Sequence, residues 1–201
     1  MFYWFIKGMF WPLGKVYFRT RRRGLDNLPR RGPAIVVANH ASFLDPAILG
    51  DACPRKVHFL IMRAMYDLRR FRWFYAGMES IPVSADPQDA LSLRRALRTL
   101  QQGEIVGIFP EGHRRPDGSV GEGRLGAALL AARSGAPVVP VAIRGAYEAM
   151  PAQGIFPWPR RIETVFGAPL RWEGGKPRRA SLVEFSERLM AAVGALAREK
   201  E

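Results

Sequence analysis

An imidazole and a carboxylate stand five positions apart in the run Asn39-His40-Ala41-Ser42-Phe43-Leu44-Asp45-Pro46. Histidine is the side chain best suited to exchange a proton near neutrality. On a regular helix, residues five apart lie on different sides, so the two can meet only if a turn folds the chain between them. Pro46 favours such a turn, because it disfavours helical geometry at Asp45 and can itself begin a helix. In that arrangement Asp45 holds one ring nitrogen and stabilises the imidazolium, while the other nitrogen takes a proton from a hydroxyl. This is the base-and-orienter logic of the serine hydrolases, with the nucleophile supplied by the substrate. The plainer alternative is that Asp45 caps a helix and His40 is a satisfied polar residue at a strand end. A second group is Phe109-Pro110-Glu111-Gly112-His113-Arg114-Arg115. A glycine there lets backbone amides approach an anion, and paired arginines give charge-assisted, bidentate contacts to phosphate. Glu111 could orient Arg114 or hydrogen-bond a substrate hydroxyl. Against this stands a charged, solvated hairpin, since Arg115-Pro116-Asp117-Gly118 is strong turn chemistry.

Both groups follow short apolar, β-branched runs. Ala34 to Ala38, Val57 to Met62, Ile105 to Phe109 and Val138 to Ile143 read as strands buried on both faces. Arg161 to Gly167 alternates like a later, half-exposed strand. Between them lie helical patterns. One opens at Asp86-Pro87, carries Leu93, Leu97 and Leu100 on one face, and stops at Gly103. A second runs through Leu125, Ala128, Leu129 and Ala132 to Gly135. A last helix, with Ser181 and Glu184 as a capping box, continues through Leu182, Phe185, Leu189, Val193 and Leu196. Met150 to Pro159, rich in proline, reads as a loop and a candidate surface flap. The expected fold is a single α/β domain with a largely parallel or mixed sheet flanked by helices. Sites in such sheets collect at the carboxyl ends of strands, where both groups fall.

The chain of 201 residues suits one domain, and 48% apolar with 24% charged residues excludes a disordered or fibrous chain. A single cysteine, Cys53, excludes an internal disulfide framework. His40, His58 and His113 are too dispersed for a zinc site, so no metal is expected. Cys53 and His58 read as structural residues. Gly121-Glu122-Gly123-Arg124-Leu125-Gly126 matches a dinucleotide fingerprint by letter only, with no strand before it and no acid about 20 residues on. The net charge of +13 attracts polyanions, but no nucleic-acid recognition motif is present. Eight aromatic residues fall within residues 2 to 18, with the basic run Arg19-Thr20-Arg21-Arg22-Arg23 just beyond. Lys7, Gly8, Pro12, Gly14 and Lys15 interrupt the apolar stretch too often for a membrane span, and no signal-peptide pattern follows. Pro12 predicts two short helical pieces, with Phe2, Phe5 and Met9 at helical spacing. Residues 1–23 are therefore expected to be an amphipathic, interfacial segment ahead of a domain over 24–201. The alternative is that this segment packs on its own domain.

Taken in order, Asn39-His40-x4-Asp45, Phe109-Pro110-Glu111-Gly112-x-Arg114 and Val139-Pro140-Val141-Ala142-Ile143 carry a resemblance, joined by Gly24-Leu25-Asp26-Asn27-Leu28-Pro29 ahead of the first strand. The chain from about residue 12 to Leu170 resembles the glycerophospholipid acyltransferases of the lysophosphatidic acid acyltransferase (PlsC-like) type. That resemblance implies that residues 24–201 form an acyltransferase domain, with His40 as catalytic base and Asp45 as its partner. It implies that Glu111, Gly112 and Arg114 bind the acceptor's glycerol phosphate. Arg63 stands where the family often has a lysine, and the Val139–Ile143 stretch would support the acyl-donor side. Two positions depart from the family pattern: Ser84 and Ala85 follow Ile81-Pro82-Val83 where an arginine is common, and His113 replaces a threonine. Both departures bear on the acceptor phosphate and leave the His40 and Asp45 chemistry untouched. The implied activity is O-acyl transfer from acyl-CoA or acyl carrier protein to a lysophospholipid such as 1-acyl-glycerol-3-phosphate, in phospholipid biosynthesis. No cofactor beyond that donor is implied. The implied partners are the membrane surface, the lysophospholipid and the thioester, at the cytoplasmic face as a peripheral or monotopic protein. Another lysolipid or glycolipid acceptor, or a non-catalytic binder of acidic membranes, is the alternative.

Overall fold

The computed structural model describes residues 1–84, 90–115, 117–151, 154 and 156–199. Seven strands form one sheet: β1 (Arg21–Arg23), β2 (Ala34–Ala38), β3 (Val57–Met62), β4 (Ile81–Val83), β5 (Ile105–Ile108), β6 (Val138–Arg144) and β7 (Glu163–Phe166), in the order β1-β7-β6-β2-β5-β3-β4. All neighbouring pairs are parallel except β6 with β7. The sheet is therefore mixed, and its five parallel strands β6, β2, β5, β3 and β4 share one carboxyl edge.

Strand β2 explains the two layers. Ala34, Val36 and Ala38 face one apolar cluster, which holds Ile48 and Leu49 of α2 (Asp45–Ala52) together with Phe18. Ile35 and Val37 face a second cluster with Leu100 of α5 (Ala90–Gln101), Leu130 of α6 (Gly126–Ser134) and Leu189 of α8 (Arg179–Arg198). Alternate side chains of a strand point to opposite faces, so a continuous apolar run is what a sheet covered on both faces requires. The remaining helices are α1 (Phe2–Pro12), α3 (Arg63–Tyr66), α4 (Arg72–Gly77) and α7 (Ala146–Ala149).

Several details differ from the sequence expectation. Strand β7 is buried along its whole length, not half-exposed, because β1 and β6 flank it and Phe166 enters the core. The basic run Arg21–Arg23 is itself an edge strand, with Arg23 Nε 2.9 Å from Glu163 and Arg23 Nη2 3.3 Å from Glu199. Charged residues keep such an edge from pairing with another chain. Strand β4 went unrecognised as well; Pro82 suits an edge. Helix α1 runs through Pro12 into a π-turn over Leu13–Tyr17, closed by the Phe18 amide donating to the Leu13 carbonyl at 3.3 Å. Pro12 therefore does not break the segment into two. Helix α6 buries Ala127, Ala128, Leu130 and Ala131, a face rotated from the expected one. Helix α8 begins at Arg179, so Ser181 is its third residue, and its hydroxyl accepts from the Arg178 amide at 3.2 Å. The Asp86-Pro87 helix start lies outside the described residues. Gly24 has φ +68°, and a Cβ there would stand 2.1 Å from the Phe166 carbonyl oxygen, which accounts for glycine at the head of that motif.

The amino-terminal segment has two faces. Tyr3 is buried, its hydroxyl accepting from the Val57 amide at 3.2 Å, and Phe18 is in the core. Trp4, Phe5, Met9, Trp11, Leu13 and Val16 are exposed. Among the described residues, no helix is long and apolar enough to cross a membrane.

Candidate active site

Strand β2 ends at Ala38, and the chain turns through Asn39 to Leu44 before α2 begins at Asp45. Asn39 is buried and completes the ladder with its side chain. Its Oδ1 accepts from the Ile143 amide at 2.8 Å and its Nδ2 donates to the Ile143 carbonyl at 3.1 Å. This tethers the turn to β6, so Val139–Ile143, buried throughout, supports the site from behind.

The turn brings His40 and Asp45 together. His40 Nδ1 lies 2.9 Å from Asp45 Oδ2. The same oxygen accepts from the Ala41 and Ser42 amides, each at 2.8 Å. Asp45 is fully buried, whereas the His40 side chain keeps 18% of its surface. An oxygen that accepts from two amides makes Nδ1 the donating nitrogen, which leaves Nε2 with its lone pair. The Asp45 carboxylate orients the imidazole and holds two amides of the preceding turn; it does not cap α2, whose N-cap is Leu44 with no side-chain capping bond. The His40 ring stacks on Phe109 with centroids 4.4 Å apart, and Phe109 stacks on Phe59 at 5.8 Å. Packing and hydrogen bonding thus fix the ring plane and its tautomer.

The second motif closes over the first from the end of β5. Glu111 is 3% exposed, and its Oε1 accepts from the His40 amide at 3.2 Å. The Arg115 amide donates to the His40 carbonyl at 2.9 Å. Both polar groups of the His40 backbone are therefore held by the second motif. Burial raises the Glu111 carboxyl to about 7, against the opposing pull of the His40 amide and the Arg115 charge. The Arg114 guanidinium lies 3.2 Å from the centre of the Phe43 ring, a cation–π contact on the turn that carries His40. Burial lowers its pKa, while the Asp45 charge opposes that shift. Gly112 has φ +75°, and a Cβ there would meet the Arg124 guanidinium at 2.8 Å.

His40, Asp45, Glu111 and Arg114 are thus one cluster, and Gly112 lies within it by chain connectivity. Arg63 starts α3 at the carboxyl end of β3, on the same sheet edge but two strands from β2. Its side chain makes no hydrogen bond or ion pair among the described residues. Arg115 turns instead to Ser119 and Asp117, as the hairpin reading expected. His113 is exposed, and Ala85 lies outside the described residues. Burial pushes the Cys53 thiol up to about 12, as suits a structural cysteine. The roles of Asn39, Phe109, Phe43 and Arg124 went unseen in the sequence. A polar residue closing an apolar run was the one available signal, for Asn39; the others depend on through-space packing. Two cavities, of about 270 Å³ beside Arg144 and Glu163 and about 190 Å³ beside Trp172 and Phe185, contain none of the cluster.

Residues 19–144, which span both motifs, match the acyltransferase family. This chain belongs to that family. It is 30% identical over 179 residues to a 1-acyl-sn-glycerol-3-phosphate acyltransferase of Pseudomonas aeruginosa, covering 87% of this chain and 67% of that one. It is also 33% identical over 138 residues to a chloroplastic 1-acyl-sn-glycerol-3-phosphate acyltransferase of Brassica napus, covering 67% of this chain and 40% of the relative. The chain thus spans about two-fifths of the length of the chloroplastic relatives it matches. These similarities place it in the PlsC-like, lysophosphatidic acid acyltransferase branch. The fold is shared with the crystal structure of a PlsC from Thermotoga maritima, with a TM-score of 0.77 at 24% identity over 99% of this chain and 83% of that one.

Proposed function

We propose that this chain is an O-acyltransferase that moves a fatty acyl group from an acyl thioester to the free hydroxyl of 1-acylglycerol-3-phosphate, giving phosphatidate. The observation that carries the reading is the contact from His40 Nδ1 to Asp45 Oδ2 at 2.9 Å, on the turn whose Phe43 ring lies under Arg114. In this mechanism His40 Nε2 takes the hydroxyl proton as the acceptor oxygen attacks the thioester carbonyl. The tetrahedral intermediate collapses with cleavage of the carbon–sulfur bond, and the imidazolium returns its proton to the departing thiolate. Asp45 stabilises the imidazolium between the two steps. Arg114, a cation stacked on the turn that carries the base, pairs with the acceptor phosphate, and Gly112 lets backbone approach it. Glu111, itself buried, holds the His40 amide and so positions the base. Coenzyme A and acyl carrier protein both present the required thioester.

The acceptor and the product are lipids, so the reaction belongs at a membrane surface, and the exposed face of residues 1–17, ahead of the edge strand β1, is the anchor in this reading. The exposed Trp4, Phe5 and Met9 support it, together with the flanking cations. The cytoplasmic face is the location in this proposal. The test is acyl transfer from a radiolabelled thioester to 1-acylglycerol-3-phosphate by the purified chain and by His40→Ala. A loss of about 10²- to 10⁴-fold in turnover by a folded variant is expected. Equal rates for the two proteins would defeat the mechanism. A chain that acylates only phosphate-free lysolipids would defeat the acceptor assignment and spare the base.

A further inference from the structure

We propose that a second element contacts the bilayer: the loop over 156–161, whose exposed Phe156 and Trp158 enter the interface of an anionic membrane beside the amino-terminal segment. The inference rests on the membrane-surface reading above and extends it to a part of the chain far from the amino terminus.

Large apolar side chains on a loop have nothing to pack against unless a partner supplies it. Phe156 is 77% exposed and Trp158 68% exposed. They alternate with Pro157 and Pro159, and proline pre-sets the backbone, so less conformational freedom is lost when the rings are buried. Two contacts to its main chain hold the loop, and a third holds the chain upstream of it; none involves these rings. The Tyr17 hydroxyl donates to the Pro157 carbonyl at 2.9 Å, which seats the loop against the end of the amino-terminal segment. The Trp158 amide donates to the Ala149 carbonyl at 2.7 Å. At the loop's origin, the Ser42 hydroxyl donates to the Met150 carbonyl at 2.7 Å, and Ser42 bridges to Pro151.

Two features select a lipid surface as the occupant. The first is charge: Arg160 and Arg161 follow after Pro159 and are exposed, which puts two cations close to a tryptophan, the composition that settles at the headgroup level of an anionic leaflet. The second is continuity. Tyr17 belongs to the segment whose exposed Leu13 and Val16 extend the outward face of α1. The loop therefore enlarges one apolar surface instead of forming a separate patch.

The test uses the full chain. Cys53 is fully buried, so an environment-sensitive thiol-reactive fluorophore can be placed selectively at Phe156→Cys. Glu187→Cys, on the exposed side of α8 and across the sheet from the amino-terminal segment, is the control. On addition of equimolar phosphatidylglycerol and phosphatidylcholine vesicles, the probe at position 156 should shift to the blue and the control should not. Phe156→Ser with Trp158→Ser should raise the lipid concentration for half-partition by at least about tenfold, as loss of two aromatic interfacial anchors requires, while circular dichroism is unchanged. Vesicles of phosphatidylcholine alone should bind less tightly. A probe at 156 that stays water-like while the chain sediments with vesicles overturns the proposal, and so does a chain that binds no vesicles. A concentration-dependent blue shift without lipid would show that a second copy covers the loop, and would also overturn it. Because partition is read without turnover, failure here is distinguishable from failure of the acyl-transfer reading, which the His40→Ala assay reports.

Discussion

Replacing Asp45 by asparagine isolates the negative charge with little change of shape. Its Oδ2 accepts from His40 Nδ1 at 2.9 Å and from the Ala41 and Ser42 amides, while Oδ1 is buried without a hydrogen-bond partner among the described residues. An asparagine can keep its oxygen at the three donors only by placing its amide NH2 where Oδ1 now sits. A buried donor left without a partner costs about 1–3 kcal/mol, so a modest loss of stability is expected with the fold intact. The larger effect falls on catalysis. At the 2.9 Å separation of the pair, the imidazolium–carboxylate attraction is about 1.4 kcal/mol with water-like screening and about 6 kcal/mol at an effective dielectric of 20. These bounds correspond to roughly tenfold and 10⁴-fold in rate. The complete burial of Asp45 and the low exposure of His40 place the pair nearer the upper bound, so kcat should fall by about 10²- to 10⁴-fold. The acceptor KM should change little, because Asp45 touches protein groups only. Initial rates of radiolabelled acyl transfer, with urea unfolding measured in parallel, check both expectations. A folded Asp45→Asn enzyme with kcat within threefold of the parent would refute the claim that this charge stabilises the imidazolium.

Two further outcomes follow from the same cluster. Arg114→Ala removes a guanidinium stacked on Phe43 and should raise the acceptor KM by at least about tenfold, on the scale of a charge-assisted phosphate contact. The donor KM should hold steady, and an effect confined to the donor would overturn the assignment. Glu111 is raised from the ordinary 4.5 to about 7 by burial, so over that interval the folded state holds a proton that the unfolded state has released. Stability should therefore decline between about pH 4.5 and 7 and level off above, by at most about 3 kcal/mol. Glu111→Gln, which resembles the protonated form, should flatten that decline in urea titrations across the range; an unchanged pH slope in the variant would contradict the raised carboxyl.

The sequence by itself determined the layers and placed both motifs at the ends of strands. Uninterrupted β-branched runs such as Ala34–Ala38 can be accommodated only where both faces are covered, and Pro46 suits the first turn of a helix, which is where it stands in α2, although Asp45 before it is itself helical. These are local constraints, carried by residues close in the chain. What local pattern could not supply was anything set by distant neighbours. Strands β1 and β4 have three residues each and exist because β7 and β3 offer a partner edge. Strand β7 alternates like a half-exposed strand yet is buried, because burial depends on which strands flank it. Helix α6 buries a face rotated from the expected one because its burial is set by α5, α8 and the sheet together, in one cluster with Leu100, Leu189 and Val37. The tertiary structure alone brought Glu111 to the His40 amide across 71 residues, Asn39 to Ile143 across 104, and the loop at Pro157 to Tyr17 across 140. Each of those contacts joins the ends of different strands or loops, and sheet order, which no short window of residues encodes, decides which ends meet.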